Sequence, residues 1–180
     1  MERELYEVMD WAAVEEIVYS ESADPHAILG PHKTDKGILV QAFFPGRDRV
    51  LLQRGKPKMP MELADESGFF ACLIPGEKES LRYQFILPEA DGSETVAEDP
   101  YRFMPELPEV ELRKFKAGES TAAYTFLGAH EKKMGGVSGI RFAVFAPNAM
   151  RVSVVGDFNN WDGRVHELRR MGDSGIFALF

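Results

Sequence analysis

The chain nearly repeats itself. Gly37-Ile38-Leu39-Val40-Gln41-Ala42-Phe43-Phe44-Pro45, followed by Arg49-Val50-Leu51-Leu52, returns as Gly139-Ile140-Arg141-Phe142-Ala143-Val144-Phe145-Ala146-Pro147, followed by Arg151-Val152-Ser153-Val154. The Gly-Ile starts, the prolines and the Arg-Val pairs keep one register without a gap. Solenoid repeats run about 20–50 residues, well short of this separation, so the duplication marks two copies of one domain. It reaches beyond the strands. Leu29-Gly30-Pro31-His32 shares a Leu-Gly-x-His core with Leu127-Gly128-Ala129-His130, and Gly68-Phe69-Phe70-Ala71-Cys72-Leu73 matches Gly175-Ile176-Phe177-Ala178-Leu179-Phe180.

Within each copy the apolar period is two. Ile38, Val40, Ala42 and Phe44 fall on one side of an extended chain, and Leu39, Gln41 and Phe43 on the other. Further strands are expected over 49–54, 59–64, 69–74 and 81–87, with Asp91-Gly92 as a hairpin signal before a short strand near Thr95–Ala97. Short strands between frequent turns indicate a sandwich or barrel; strand number and length favour an immunoglobulin-like sandwich. Before the strands, Leu5, Met9, Ala12 or Ala13, and Ile17 recur at helical spacing, with Glu2, Glu4 and Glu7 near the positive end of the helix dipole. The stretch 105–118 reads as a linker with a short helix, Pro108 in its first turn and Gly118 at its stop. Gly135-Gly136-Val137-Ser138-Gly139 lacks the Gly-Lys-Ser/Thr of a phosphate loop and reads as the turn into the second copy's first strand. The expected fold is therefore mainly all-β: two tandem immunoglobulin-like β-sandwich modules, residues 1–115 with a leading helix and residues 116–180. Past the Gly68 segment the first copy still has 81–87 and a strand near Val96, so the second module is expected to be truncated and the chain to be a fragment.

Charge and cysteine content narrow the partners. The 180 residues carry a formal charge of −8, which argues against a nucleic-acid backbone or an anionic membrane as the partner. A neutral ligand remains open, because its binding does not depend on net charge. Cys72, the single cysteine, lies in an apolar run and is expected to be a buried thiol. No disulfide can form within the chain, which suits a cytoplasmic location. The charged start Met1-Glu2-Arg3-Glu4 lacks the apolar stretch of a secretory signal.

With the repeat laid out, the chain resembles the N-terminal region of bacterial glycogen branching enzymes of the two-module form. The resemblance covers nearly the whole chain. It rests on Asp24-Pro25-His26 with Leu29-Gly30-Pro31-His32, Gly68-Phe69-Phe70, Asp99-Pro100-Tyr101-Arg102-Phe103, and Leu127-Gly128-Ala129-His130. Most specific is Arg141 through Ala149, continuing as Arg151-Val152-Ser153-Val154-Val155-Gly156-Asp157-Phe158-Asn159-Asn160-Trp161-Asp162-Gly163-Arg164. Phe145 and Phe177 stand where tryptophan is common in the family, and both keep an aromatic. The resemblance implies a 1,4-alpha-glucan branching enzyme. Its catalytic (β/α)₈ barrel lies further along the chain and transfers glucan segments to a 6-hydroxyl through paired carboxylates. Such a barrel needs about 250 residues, so no catalytic residue is assigned here. The second module resembles the carbohydrate-binding modules of family forty-eight. The implied partners are an alpha-glucan such as glycogen or amylose and the downstream barrel of the same polypeptide, with a dimer through the truncated module as a further expectation. No cofactor is implied.

Trp161 is the foremost binding candidate, since an indole face stacks on the apolar face of a glucose ring. Asn159 and Asn160 beside it offer amide donors and acceptors to sugar hydroxyls. The alternative is that Trp161 packs against its own module or the barrel. Asp157 and Asp162 read as turn residues bonding their own backbone rather than as a catalytic pair. His32 and His130 share one repeat position and read as ties from a loop to a backbone carbonyl. Four scattered histidines and one buried thiol do not make a metal cluster. Trp11 on the opening helix is expected to pack on the first sandwich. The readings that compete with a branching-enzyme segment are a free-standing glycogen-binding regulatory module and a purely structural spacer.

Overall fold

A computed structural model describes residues 3–76 and 81–180. The chain divides into two compact units, Met1–Ser22 with His26–Arg102, and Ala23–Pro25 with Phe103–Phe180.

The first unit opens with two helices rather than one. Helix α1 spans Arg3–Val8 and α2 spans Trp11–Val18. The break comes at Asp10, which adopts extended backbone and accepts the Ala13 N–H at 3.3 Å as an N-cap. A capping aspartate satisfies an orphan donor and so starts a new helix inside what reads as one apolar stripe. Glu4 lies in the first turn of α1, while Glu2 falls outside the described residues. Trp11 does not enter the core. It is half-buried, 4.9 Å from the Tyr6 ring, and donates Nε1–H to the Tyr6 carbonyl.

Eight strands follow among the described residues: β1 (Gly30–Lys33), β2 (Gly37–Phe43), β3 (Leu51–Gln53), β4 (Lys58–Pro60), β5 (Glu62–Asp65), β6 (Phe69–Pro75), β7 (Gln84–Pro88) and β8 (Glu94–Ala97). They form two antiparallel sheets, in the orders β1-β2-β6-β5 and β4-β3-β7-β8. Ile38, Val40, Ala42, Phe70, Cys72 and Ile74 from the first sheet share one core with Leu52, Phe85 and Leu87 from the second and with Val50 just before β3. This is an immunoglobulin-like sandwich, and the side of β2 that holds Ile38, Val40 and Ala42 meets the second sheet, while Leu39, Gln41 and Phe43 on its other side are buried as well. The stretch 59–64, read as one strand, splits into β4 and β5, which lie in different sheets. Proline has no N–H for a ladder bond, and Pro60 stands where the chain leaves one sheet for the other. Strand β1 was not expected, because the Gly-Pro-His-Lys segment lacks apolar alternation. An edge position accepts its proline.

Behind the sandwich, Asp99 is fully buried. It accepts the Tyr83 hydroxyl and, at 2.9 Å, the Tyr101 N–H. Burial pushes its carboxyl up from 3.8 to about 6, against the pull of those donors. Because the folded value is the higher one, the native state holds this proton more tightly than the unfolded chain. The stabilisation is full below about 4 and lost as pH rises through about 6. Asp99→Asn is therefore expected to flatten this part of the pH dependence, measured as thermal melting midpoints across the acid range. An unchanged slope in the variant would assign it to other groups.

The second unit carries α3 (Glu109–Lys116), β9 (Gly128–Met134), β10 (Val137–Phe145), β11 (Arg169–Arg170) and β12 (Ile176–Leu179). Pro108 stands at the N-cap position of α3, just before the first turn and without a side-chain cap bond, and Gly118 at φ 73° follows its end. The strands form one antiparallel sheet in the order β11-β12-β10-β9. Gly135-Gly136 does not lead into the first strand, as the sequence had implied. It is the turn of the β9–β10 hairpin, with φ of 56° and 89°, the positive pair a two-residue hairpin turn requires.

The internal repeat is visible in the pairing. Phe43 faces Phe69 in β2–β6, and Phe145 faces Ile176 in β10–β12. The Phe44 N–H donates to the Gly68 carbonyl and the Ala146 N–H to the Gly175 carbonyl, both at 2.8 Å. Gly68 is obligatory there: its φ is +105°, and a Cβ would lie 2.4 Å from the Phe44 carbonyl oxygen. His32 and His130 donate from Nε2 to the Leu29 and Leu127 carbonyls at 3.0 and 2.9 Å, tying the two entry loops as their shared position implied. A second tie is shared in place but not in residue. Gln41 reaches the Ile28 carbonyl, whereas Arg141, two places earlier in the repeat, reaches the Phe126 carbonyl.

One face of the second unit's sheet packs Ala143, Ile176 and Ala178 against Phe126, Leu107, Leu112 and Phe115. The other face matches the sandwich core of the first unit and is closed only in part. Phe177 and Leu179 are buried, but Ile140 and Val144 are each 39% exposed, against 6% for Ile38 and 5% for Ala42.

Candidate functional site

The segment after β10 leaves the sheet and folds as a tight loop over Gly156–Arg164. A single 3-10 turn covers Asp157–Asn159, and Asn160 then enters the left-handed region at φ 53°, ψ 29°. Trp161 follows at φ 59°. Two successive non-glycine residues at positive φ are uncommon, and a bulky one costs about 1–3 kcal/mol unless its surroundings over-determine it. Here they do. The Trp161 N–H donates to the Gly156 carbonyl at 3.0 Å, and its indole Nε1–H to Asp157 Oδ1 at 2.9 Å. The backbone strain and the two bonds point the indole outward, and Trp161 is 66% exposed. Phe158 on the same loop is 65% exposed, with its ring 5.5 Å from that of His166.

The sequence-predicted residues divide here. Trp161 and Asn160 face solvent, whereas Asn159 is 6% exposed and serves the loop itself. Its Oδ1 accepts the Gly156 N–H at 2.9 Å; its Nδ2 donates to the Val154 carbonyl at 2.8 Å and to His166 Nδ1 at 3.0 Å. Asp162 behaves as a turn aspartate, accepting the Arg164 N–H at 3.0 Å and pairing with the Arg164 guanidinium. That guanidinium holds its carboxyl below the usual range. Asp157 departs from the turn reading and binds the indole instead.

His166 is the residue that sequence reasoning missed. It reaches the loop from the returning segment before β11, where the Val154 N–H donates to its carbonyl at 2.9 Å and Ser153 forms an isolated bridge with Glu167. A lone histidine in a polar run carries no local signal of such a contact. Buried Glu167 beside it pairs with Arg151 at 3.7 Å.

The arrangement is an exposed, preset aromatic surface with an exposed amide beside it. It offers stacking and hydrogen bonding to a neutral polyhydroxy ligand. Comparison with known families gives two matches. Residues 10–101 match the model described as alpha-1,4-glucan branching enzyme GlgB, N-terminal domain. Residues 126–180 match carbohydrate-binding module 48, the isoamylase N-terminal domain. The loop with Trp161 lies inside the second match.

Proposed function

Since the chain belongs to the family of alpha-1,4-glucan branching enzyme N-terminal domains, we propose that it is the non-catalytic N-terminal part of such an enzyme. Its second unit holds alpha-glucan chains and its first positions the catalytic barrel of the same polypeptide. The observation that carries the glucan role is the outward indole of Trp161, held by Asp157 within a segment similar to a carbohydrate-binding module. An indole that packed on its own module would not stand 66% exposed. Affinity electrophoresis tests the reading: the protein is expected to be retarded in a gel containing glycogen. Free passage would leave only the spacer reading. The same protein is expected to leave the iodine stain of amylose unchanged, and a shifted stain would show branching activity within these residues.

The half-open face around Ile140 and Val144 supports a second role for this unit, as a surface that pairs with another copy of the chain. Light scattering is expected to show a mass that rises with concentration. A monomer at all concentrations argues against that role and leaves glucan binding untouched.

A further inference from the structure

We propose that His166 is a positioning residue for the Trp161 platform, holding the loop in its presenting form only while the imidazole is neutral; this rests on the reading that the platform carries glucan. The orientation of the Asn159 amide is determined twice. Oδ1 must face the Gly156 N–H and Nδ2 the Val154 carbonyl, and turning the amide over would set donor against donor and acceptor against acceptor. The Asn159 atom 3.0 Å from His166 Nδ1 is therefore a donor, so Nδ1 presents its lone pair and the ring proton sits on Nε2. Protonation at Nδ1 sets N–H against N–H. The amide cannot turn to relieve this without releasing Gly156 and Val154 as well.

The backbone that carries the ring is fixed, since the His166 carbonyl accepts the Val154 N–H and its neighbour Glu167 bridges Ser153, and the ring lies 5.5 Å from that of Phe158. The conflict passes to the turn from Gly156 to Trp161, whose two left-handed residues are the strained part of the loop. Releasing Asn159 removes the contacts that hold Gly156, and the Gly156 carbonyl is the acceptor for the Trp161 N–H. The charged groups around His166 are already engaged: Asp157 with the indole, Asp162 with Arg164, and Glu167 with Arg151. Burial sets the proton affinity of His166 and lowers it below the ordinary imidazole value.

The test follows the two tryptophan indole N–H signals of the full chain by NMR, with Trp11→Phe assigning them, while pH is lowered from neutrality. Retardation by glycogen is measured over the same range. The Trp161 signal is expected to shift with the midpoint of the His166 imidazole. Glycogen binding is expected to weaken about tenfold for each pH unit below that midpoint, as the competent fraction falls. His166→Asn keeps an acceptor near the place of Nδ1 and does not titrate. It is expected to lose the acid sensitivity of both the indole signal and the glycogen retardation. A Trp161 signal indifferent to His166, or an unchanged pH profile in His166→Asn, overturns the proposal. A signal that follows His166 in a protein never retarded by glycogen supports the positioning role and overturns the glucan reading instead.

Discussion

Trp161→Ala is expected to weaken glycogen binding by about thirtyfold or more, with little change in the unfolding midpoint. The indole is the largest apolar surface on the loop, and it stands in solvent before any ligand arrives. Binding then costs little ordering of the platform, and the stacked area contributes nearly in full. A central aromatic anchor is typically worth about 2 kcal/mol or more on truncation, which corresponds to the quoted factor. Stability responds weakly because an exposed side chain holds little of the core. The substitution removes one bond to Asp157 and little buried apolar area, since Trp161 is mostly exposed. Glycogen titration of the two proteins, with melting curves as a control for folding, checks this. Equal retardation of parent and variant would remove Trp161 from the binding surface and with it the main support for the glucan reading.

Phe85→Ala is expected to have the largest effect on stability, about 3–5 kcal/mol. Phe85 lies on β7, between β3 and β8, and is 1% exposed. Its ring meets Phe44 edge-on at 5.1 Å and Tyr83 at 5.5 Å, so it joins the first sheet's apolar face to the buried Tyr83–Asp99 pair. Truncation leaves a cavity lined by rigid aromatics that collapse poorly. Against a typical total of about 5–15 kcal/mol, this is a large share. Chemical denaturation measures it. A loss below about 1 kcal/mol would mean that the two sheets do not depend on this contact.

Much of the fold was legible because it rests on local alternation and on turn chemistry. The period of two grouped Ile38, Val40 and Ala42 on one side of a strand, which the fold turns toward the second sheet, and the run holding Cys72 proved buried as its apolar neighbours implied. Pro108 and Gly118 bracketed α3. The errors arose where a single polar residue or a proline outweighed the pattern. Asp10 split the first helix by capping a second one, and Pro60 marks the change of sheets inside a run that read as one strand. Edge strands β1 and β9 were invisible because a strand paired on one side needs little apolar alternation.

At the candidate site, the sequence singled out the loop and its tryptophan, since a lone indole among asparagines and aspartates marks a candidate stacking surface; that the indole faces solvent came from the structure. What each polar neighbour does was decided only by the folded chain. Asn159 turns inward, Asp157 takes the indole, and His166 arrives from the returning segment to complete the amide's bonds. Period and turn residues act over a few positions and are written into the order of the chain. A three-way hydrogen-bond lock depends on which atoms tertiary pairing brings within about 3 Å. The duplication itself was determined by sequence, because register survives in the letters; the division of labour within the loop is a property of geometry.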